Sequence, residues 1–306
     1  MSGDLVASDL DRTLIYSARA LHLDETSAGV GSSTVSGPGT SDGSASDRSA
    51  LDLDAPLLTV SEIYRGEPLS FMTRAAEEQL AALAAEVVFV PVTTRTVAQF
   101  RRVRLPTVRF EYAVTTNGGV LLHHGEPDDD WADTVTRRLE GRCAPLGEVE
   151  ALLPDPHDDG WILRFSRAED HFVYAIVQRD QLIAGSAAAD SLATLTTEVE
   201  RRGWTVSLQG RKLYLVPAPL TKSAAIAEVA SRVGASRVLA AGDSLLDLDL
   251  LDFADVAYRP AHGELHDLGV ARPHLGVTEA RGVRAGEEIV SRLRADVAAG
   301  VPSVAR

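Results

Sequence analysis

The chain has one cysteine, Cys143, in 306 residues, so no internal disulfide can form and that side chain reads as packing. Positive charge is scarce too. Thirty Lys and Arg stand against 44 Asp and Glu, a net charge of -14, which argues against DNA or RNA as a partner because nucleic-acid binding rests on clustered basic residues. A small anion stays compatible, since one metal ion or one lysine can invert the field inside a cleft. No stretch approaches the roughly 18 apolar residues of a membrane span, and Met1-Ser2-Gly3-Asp4 lacks the basic region and apolar run of a signal peptide. No internal repeat of 20 to 50 residues is present. The expectation is a soluble cytoplasmic protein with no membrane partner.

What the chain does have is an ordinary globular composition, 45% hydrophobic and 24% charged, and enough length for two lobes. Leu5-Val6-Ala7 reads as a buried strand. Residues 26–50 are Ser-, Gly- and Thr-rich and cannot bury enough surface to offset their ordering, so a surface loop is expected there, with neighbouring elements on either side. Thr73 to Ala85 reads as a capped helix, Val87 to Val92 as a buried strand and Tyr112 to Thr116 as another. Between about 120 and 216 the pattern becomes paired strands with two helices; afterwards a helix opening at Thr221 and ending before Gly234, the strand Arg237 to Ala241, short strands near Val256 and Leu275, and a helix from about Gly286 restore the alternation. The fold class expected is α/β, a Rossmann-like parallel-sheet core (1–119 and 217–306) with an inserted α+β domain (120–216).

Candidate functional groups fall at the carboxyl ends of the predicted parallel strands, where open α/β sheets bind ligands. Asp9 and Asp11 share one side of a strand end, and two like charges so close call for a metal or a shared proton. Thr93 follows the second strand, Lys222 starts a helix, and Asp243 and Asp247 lie one helical turn apart.

In that order the motifs resemble those of phosphatases of the haloacid-dehalogenase-like superfamily: Asp9-Leu10-Asp11-Arg12-Thr13, then Val92-Thr93, Lys222, and Gly242-Asp243-Ser244-Leu245-Leu246-Asp247. The insertion between the second and third motifs, and Asn117-Gly118, resemble the type IIB subclass, which includes sucrose-phosphate, trehalose-phosphate and mannosyl-phosphoglycerate phosphatases. The resemblance implies a Mg²⁺-dependent phosphatase acting on a small phosphorylated metabolite such as a sugar phosphate. It makes Asp9 the nucleophile, Asp11 the general acid, and Thr93 and Lys222 the phosphoryl contacts. Mg²⁺ would be held by Asp9, the Asp11 carbonyl and Asp243, with Asp247 behind. A phosphomutase or a non-catalytic binding protein of the same fold stays open. The family usually has Gly where Arg12 stands.

Thr94, Arg95, Asn117, Gly118, Arg211 and Lys212 are further candidates for substrate contact. Asp128-Asp129-Asp130 reads as a helix-start charge run. His123 and His124, adjacent in a strand-like stretch, are expected to face opposite sides.

Overall fold

The computed structural model describes residues 3–21, 56–155 and 160–300; the Ser/Gly-rich stretch 26–50 lies outside them. The chain begins with β1 (Asp4–Asp9) and β2 (Tyr16–Ser17), and resumes with the hairpin β3 (Leu58–Tyr64) and β4 (Glu67–Thr73). α1 (Arg74–Glu86), β5 (Val88–Val92), the short α2 (Val97–Phe100), β6 (Tyr112–Thr115), β7 (Val120–His123) and β8 (Glu126–Pro127) follow. The inserted part runs through α3 (Asp129–Leu139), α4 (Leu146–Glu150), β9 (Ile162–Ala168), β10 (Phe172–Val177), α5 (Ala187–Glu200), β11 (Trp204–Gln209) and β12 (Lys212–Pro217). α6 (Lys222–Val233), β13 (Arg237–Ala241), α7 (Leu248–Phe253), β14 (Val256–Arg259), α8 (Glu264–Asp267), β15 (Leu275–Val277) and α9 (Gly282–Ala299) complete it.

The large sheet has the order β15-β14-β13-β1-β5-β6-β7-β8. It is parallel from β15 to β6 and antiparallel at β6–β7 and β7–β8. Both faces are covered because the central strands are apolar on both sides. Leu5, Ala7, Val90 and Val92 pack with Ile226 and Val229 of α6, while Val6 and Phe89 pack with Leu80 and Leu83 of α1 and with Ile289 and Leu293 of α9. Adjacent residues of one strand thus feed opposite layers, as the two-residue period requires.

Local chemistry sets the boundaries. Thr73 caps α1 by accepting from Ala76 N at 3.0 Å, and Thr221 caps α6 by accepting from Ala224 N at 3.3 Å; α6 stops at Gly234, whose φ of 66° suits glycine. Asp128 caps α3 through Trp131 N at 2.8 Å, with Asp129 and Asp130 in the first turn. α9 begins at Gly282, a turn before the expected Gly286. Gly286 sits inside the helix because a Cβ there would come within 2.8 Å of Thr13 O.

Two departures from the sequence reading matter for the site. Val120 begins a strand that pairs with β6 in the large sheet, and the chain leaves that sheet only after Pro127. The hairpin β3–β4 is an element the sequence reading missed; β4 pairs with β2, Tyr16 against Phe71, so the strands flanking the Ser/Gly-rich stretch, β2 and β3, share one sheet but are separated by β4 and are not the direct neighbours expected. β9 to β12 form a separate antiparallel sheet of order β11-β12-β10-β9, with α4 and α5 contributing Val149, Leu195 and Val199 to its core. Among the described residues no helix is long and apolar enough to cross a membrane.

Candidate active site

The site forms where β1, β5, β13 and the start of α6 meet. After Asp9 the chain turns tightly, Leu10 O accepting from the backbone N–H groups of Leu14 and Ile15 at 2.9 and 2.8 Å. Lys222, the first residue of α6 and fully buried, donates from Nζ to Asp9 Oδ1 at 2.7 Å and also to Asp247 Oδ1. Asp247 Oδ2 in turn accepts from Asp243 N (3.1 Å), Ser244 N (2.9 Å) and Ser244 Oγ (2.7 Å), which fixes the loop after β13. Thr93, wholly buried, accepts from Arg95 N at 3.2 Å. Four stretches far apart in the chain therefore converge at one sheet edge.

Asp9, Asp243 and Asp247 each bring one carboxylate oxygen within 4.8 Å of the others, and all three are buried. Burial raises the Asp9 carboxyl to about 7 against the pull of Lys222, and Asp247 and Asp11 push it the same way. Burial, with Asp247 and Asp9, likewise raises Asp243 well above the carboxylate range, against Arg12 and Lys222. Burial alone would lower the Lys222 ammonium; Asp247 and Asp9 more than reverse that and keep it charged. The pocket thus holds more negative charge than its own cations neutralise. An all-oxygen carboxylate set in that condition fits a hard divalent cation such as Mg²⁺.

Asp11 stands differently. Arg95 grips both its oxygens, Nε to Oδ2 at 2.7 Å and Nη2 to Oδ1 at 2.8 Å. Desolvation would raise the Asp11 carboxyl, but Arg95 outweighs it and holds the group far below its ordinary range. Arg95 also donates from Nη1 to Glu62 Oε2 at 2.8 Å, and Glu62 accepts from Arg102 Nε at 3.0 Å and Ser70 Oγ at 3.1 Å. Glu62 is completely buried in β3. Arg95, an expected anion contact, is therefore committed to Asp11 and Glu62.

The remaining candidates separate by position. Thr94 Oγ1 lies 3.4 Å from Tyr214 Oη of β12. Asn117, at φ 55°, donates from Nδ2 to Leu220 O at 3.0 Å. At Gly118 a Cβ would come within 2.2 Å of Thr221 O, so both residues seat the segment that presents Lys222. Arg211 is exposed at the β11–β12 turn and donates to Val177 O at 3.4 Å. The Lys212 ammonium is raised by Tyr214, against desolvation, and by Asp11. Lys212 and Lys222 are the only lysines among the 30 Lys and Arg, a signal readable in the sequence that marks both.

Arg12 has φ 65°, the left-handed region, and its Nε lies 3.6 Å from Asp243 Oδ2. His123 and His124 do not face apart: the strand ends at His123, His124 has φ 51°, and the rings stack at 4.3 Å. Glu111 Oε1 lies 2.8 Å from His123 Nε2, on an exposed part of the sheet away from the carboxylates.

Solved structures share this architecture. The sucrose-phosphatase from Synechocystis sp. PCC6803, solved with sucrose and phosphate, matches with a TM-score of 0.61 at 14% identity, over 96% of this chain and 99% of that one. Thermoplasma acidophilum 0175 gives 0.56 at 11% identity over 96% and 99%. The C-terminal domain of the C. albicans trehalose-6-phosphate phosphatase gives 0.52 at 10% identity over 95% and 92%. No protein-family model matches the chain, and no curated protein matches it. The fold is the haloacid-dehalogenase-like one, a mostly parallel α/β sheet with an inserted cap of the type seen in sucrose-phosphate phosphatase.

Proposed function

We propose that this protein is a Mg²⁺-dependent phosphomonoesterase that hydrolyses a small phosphorylated metabolite, a sugar phosphate in class, through a phosphoryl group carried on Asp9. The observation that carries the reading is the buried lysine between two carboxylates: Lys222 Nζ bonded to Asp9 and Asp247, with Asp243 and Thr93 at the same edge. The Synechocystis enzyme of similar fold, a sucrose-phosphatase solved with sucrose and phosphate, supports the substrate class.

Asp9 and Asp243 would hold the cation, with Asp247 behind them fixing Lys222 and the Asp243 loop. Bound there, Mg²⁺ supplies charge neutralisation for the phosphoryl oxygens. The chain's own groups do the rest. Lys222 favours the ionised form of Asp9 and adds positive charge beside the phosphoryl group, and the Thr93 hydroxyl donates to one of its oxygens. An Asp9 oxygen attacks phosphorus, the bond from phosphorus to the ester oxygen breaks, and the departing alkoxide takes the proton that Asp11 carries. Water then attacks phosphorus, gives its proton to Asp11, and frees phosphate and Asp9. With Arg95 on both its oxygens Asp11 is ionised but weakly basic, so to take that proton it must loosen from Arg95. To act as the acid of the first step it must likewise take a proton and loosen from Arg95.

A screen of sugar phosphates with Mg²⁺ tests the reading. Phosphate release, loss of release in EDTA, and a fall of at least about 10³-fold in Asp9→Asn are expected. Undiminished turnover in Asp9→Asn would sink it, and phosphorus NMR of the products separates hydrolysis from transfer to a second hydroxyl.

A further inference from the structure

Arg12 occupies a costly place. A non-glycine residue at φ 65° gives up about 1 kcal/mol, and its surroundings hold it there on both sides: Arg12 N donates to Ile15 O at 2.7 Å, and His262 Nε2 donates to Arg12 O at 2.9 Å. His262 is itself fixed and neutral, its Nδ1 accepting from Gly282 N at 3.3 Å, with burial lowering the imidazole to about 4. Glycine would adopt this turn without cost, so the backbone does not require arginine.

The side chain shows what arginine adds. It runs from the Asp9–Asp11 turn past Asp243 to the β11–β12 turn, where a Cβ on Gly210 would lie 3.7 Å from Arg12 Nη1. Its Nε is buried without a hydrogen-bond partner and has only the Asp243 carboxylate at 3.6 Å. A cleft of about 540 Å³ opens on this point, lined by Arg12, Arg179 and Arg211. Arg179 donates to Gly210 O at 3.2 Å and Arg211 to Val177 O at 3.4 Å, so both flank the same turn.

Three acids also line the cleft: Asp243, Glu264 and Asp267. Glu264 is spent on Ser207 Oγ, Leu208 N and Leu245 N. Asp243 belongs to the carboxylate cluster. Once a cation takes that carboxylate, Arg12 loses its one ion-pair partner among the described residues. The donors to Glu264 are neutral, so Glu264 keeps its charge, and two acids, Glu264 and Asp267, then stand against three guanidinium groups in a chain whose net charge is -14.

We propose that Arg12, Arg179 and Arg211 form a subsite for a second anionic group, carboxylate or phosphate, on the part of the substrate that leaves. The planar fork of arginine matches both oxyanions, and lysine or glycine at position 12 would not. The proposal rests on the phosphomonoesterase reading and adds what the substrate must carry at its far end.

The test compares matched esters with the Mg²⁺-loaded protein: glycerol 3-phosphate against 3-phosphoglycerate for a carboxylate, and fructose 6-phosphate against fructose 1,6-bisphosphate for a phosphate. In at least one pair kcat/KM for the doubly anionic ester exceeds its partner's by about tenfold or more. Arg12→Gly, which suits the turn, removes that preference, and Arg211→Ala, an exposed change, reduces it. Calorimetric titration of Asp9→Asn with the same esters reads the subsite without turnover, and there too the doubly anionic ester binds more tightly only while Arg12 is present. Equal affinity within both pairs, or a preference untouched by Arg12→Gly, overturns the subsite. A binding preference without hydrolysis of any ester overturns the phosphatase reading and leaves the subsite standing.

Discussion

Glu62 allows a sharp test of the ion network behind Asp11. Its carboxylate is fully buried and accepts from Arg95, Arg102 and Ser70 at 2.8, 3.0 and 3.1 Å. Glu62→Gln keeps the shape, removes the charge and turns an amide N–H₂ toward arginine donors. Breaking a buried pair from one side costs about 3–5 kcal/mol when the surviving charge is left alone. Here Arg95 keeps Asp11, and Arg102, with its side chain 33% exposed, keeps water. The expected loss is therefore nearer 2–3 kcal/mol, and at roughly 2–3 °C per kcal/mol for a chain of this size it lowers Tm by about 4–9 °C. Thermal melting in EDTA at pH 7, followed by circular dichroism, measures it free of metal effects. Arg102→Ala should cost under about 1 kcal/mol by the same reasoning, because that pair is partly solvated. A Glu62→Gln melt within 1 °C of wild type would refute the account of β3 as the anchor of Arg95.

Three more outcomes follow from the same geometry. Asp9 is raised from 3.8 to about 7, so between those values the metal-free folded protein holds a proton that the unfolded chain has lost. Its stability therefore falls as pH rises through that window, by up to about 1.4 kcal/mol per pH unit; Mg²⁺ should raise Tm more at pH 8 than at pH 5.5, and equal shifts would contradict this. Arg12→Gly should tighten Mg²⁺ binding severalfold by calorimetry, since Arg12 lies beside Asp243 and a like charge near a divalent ion costs on the order of 1 kcal/mol even with water-like screening; unchanged or weaker binding would count against Arg12 facing the carboxylates. Glu264→Gln weakens the bonds from a core helix to Ser207 and Leu208 of the cap, so hydrogen exchange in β11 should speed up by about tenfold, and unaltered protection would show that the cap is held elsewhere.

The parts of the site legible in the sequence were those set by local rules. Asp9 could be placed because a run of buried residues must end somewhere and the acid stands at its end, and the starts of α1, α3 and α6 because Thr73, Asp128 and Thr221 carry their own capping oxygens. The hairpin β3–β4 was not legible. Its strands leave Leu58, Val60, Ile63, Tyr64 and Leu69 exposed, and the register shifts on both sides of Glu62 break the alternation that marks a strand. Glu62 consequently reads as one more surface acid. Only its meeting with Arg95 and Arg102, 33 and 40 positions away, explains its burial. The expectation that His123 and His124 face apart fails for a related reason: the two-residue period holds only while the strand continues, and it stops one residue too soon.

The choice between lysine and arginine carries the last step. The chain uses lysine twice among 30 basic residues of the two kinds, and both interact with the acids of the first motif, Lys222 with Asp9 and Lys212 with Asp11. Lys222 must fit without solvent between Asp9 and Asp247, which a compact ammonium with three free donors can do and a planar fork cannot. Arg95 has the opposite task, two parallel bonds to one carboxylate and a third to Glu62, which only the fork can make. Each cation thus has the shape its anion demands. On that logic Arg12, a fork whose buried Nε makes no hydrogen bond and has the Asp243 carboxylate at 3.6 Å, is the cleft-lining position proposed to take a second oxyanion.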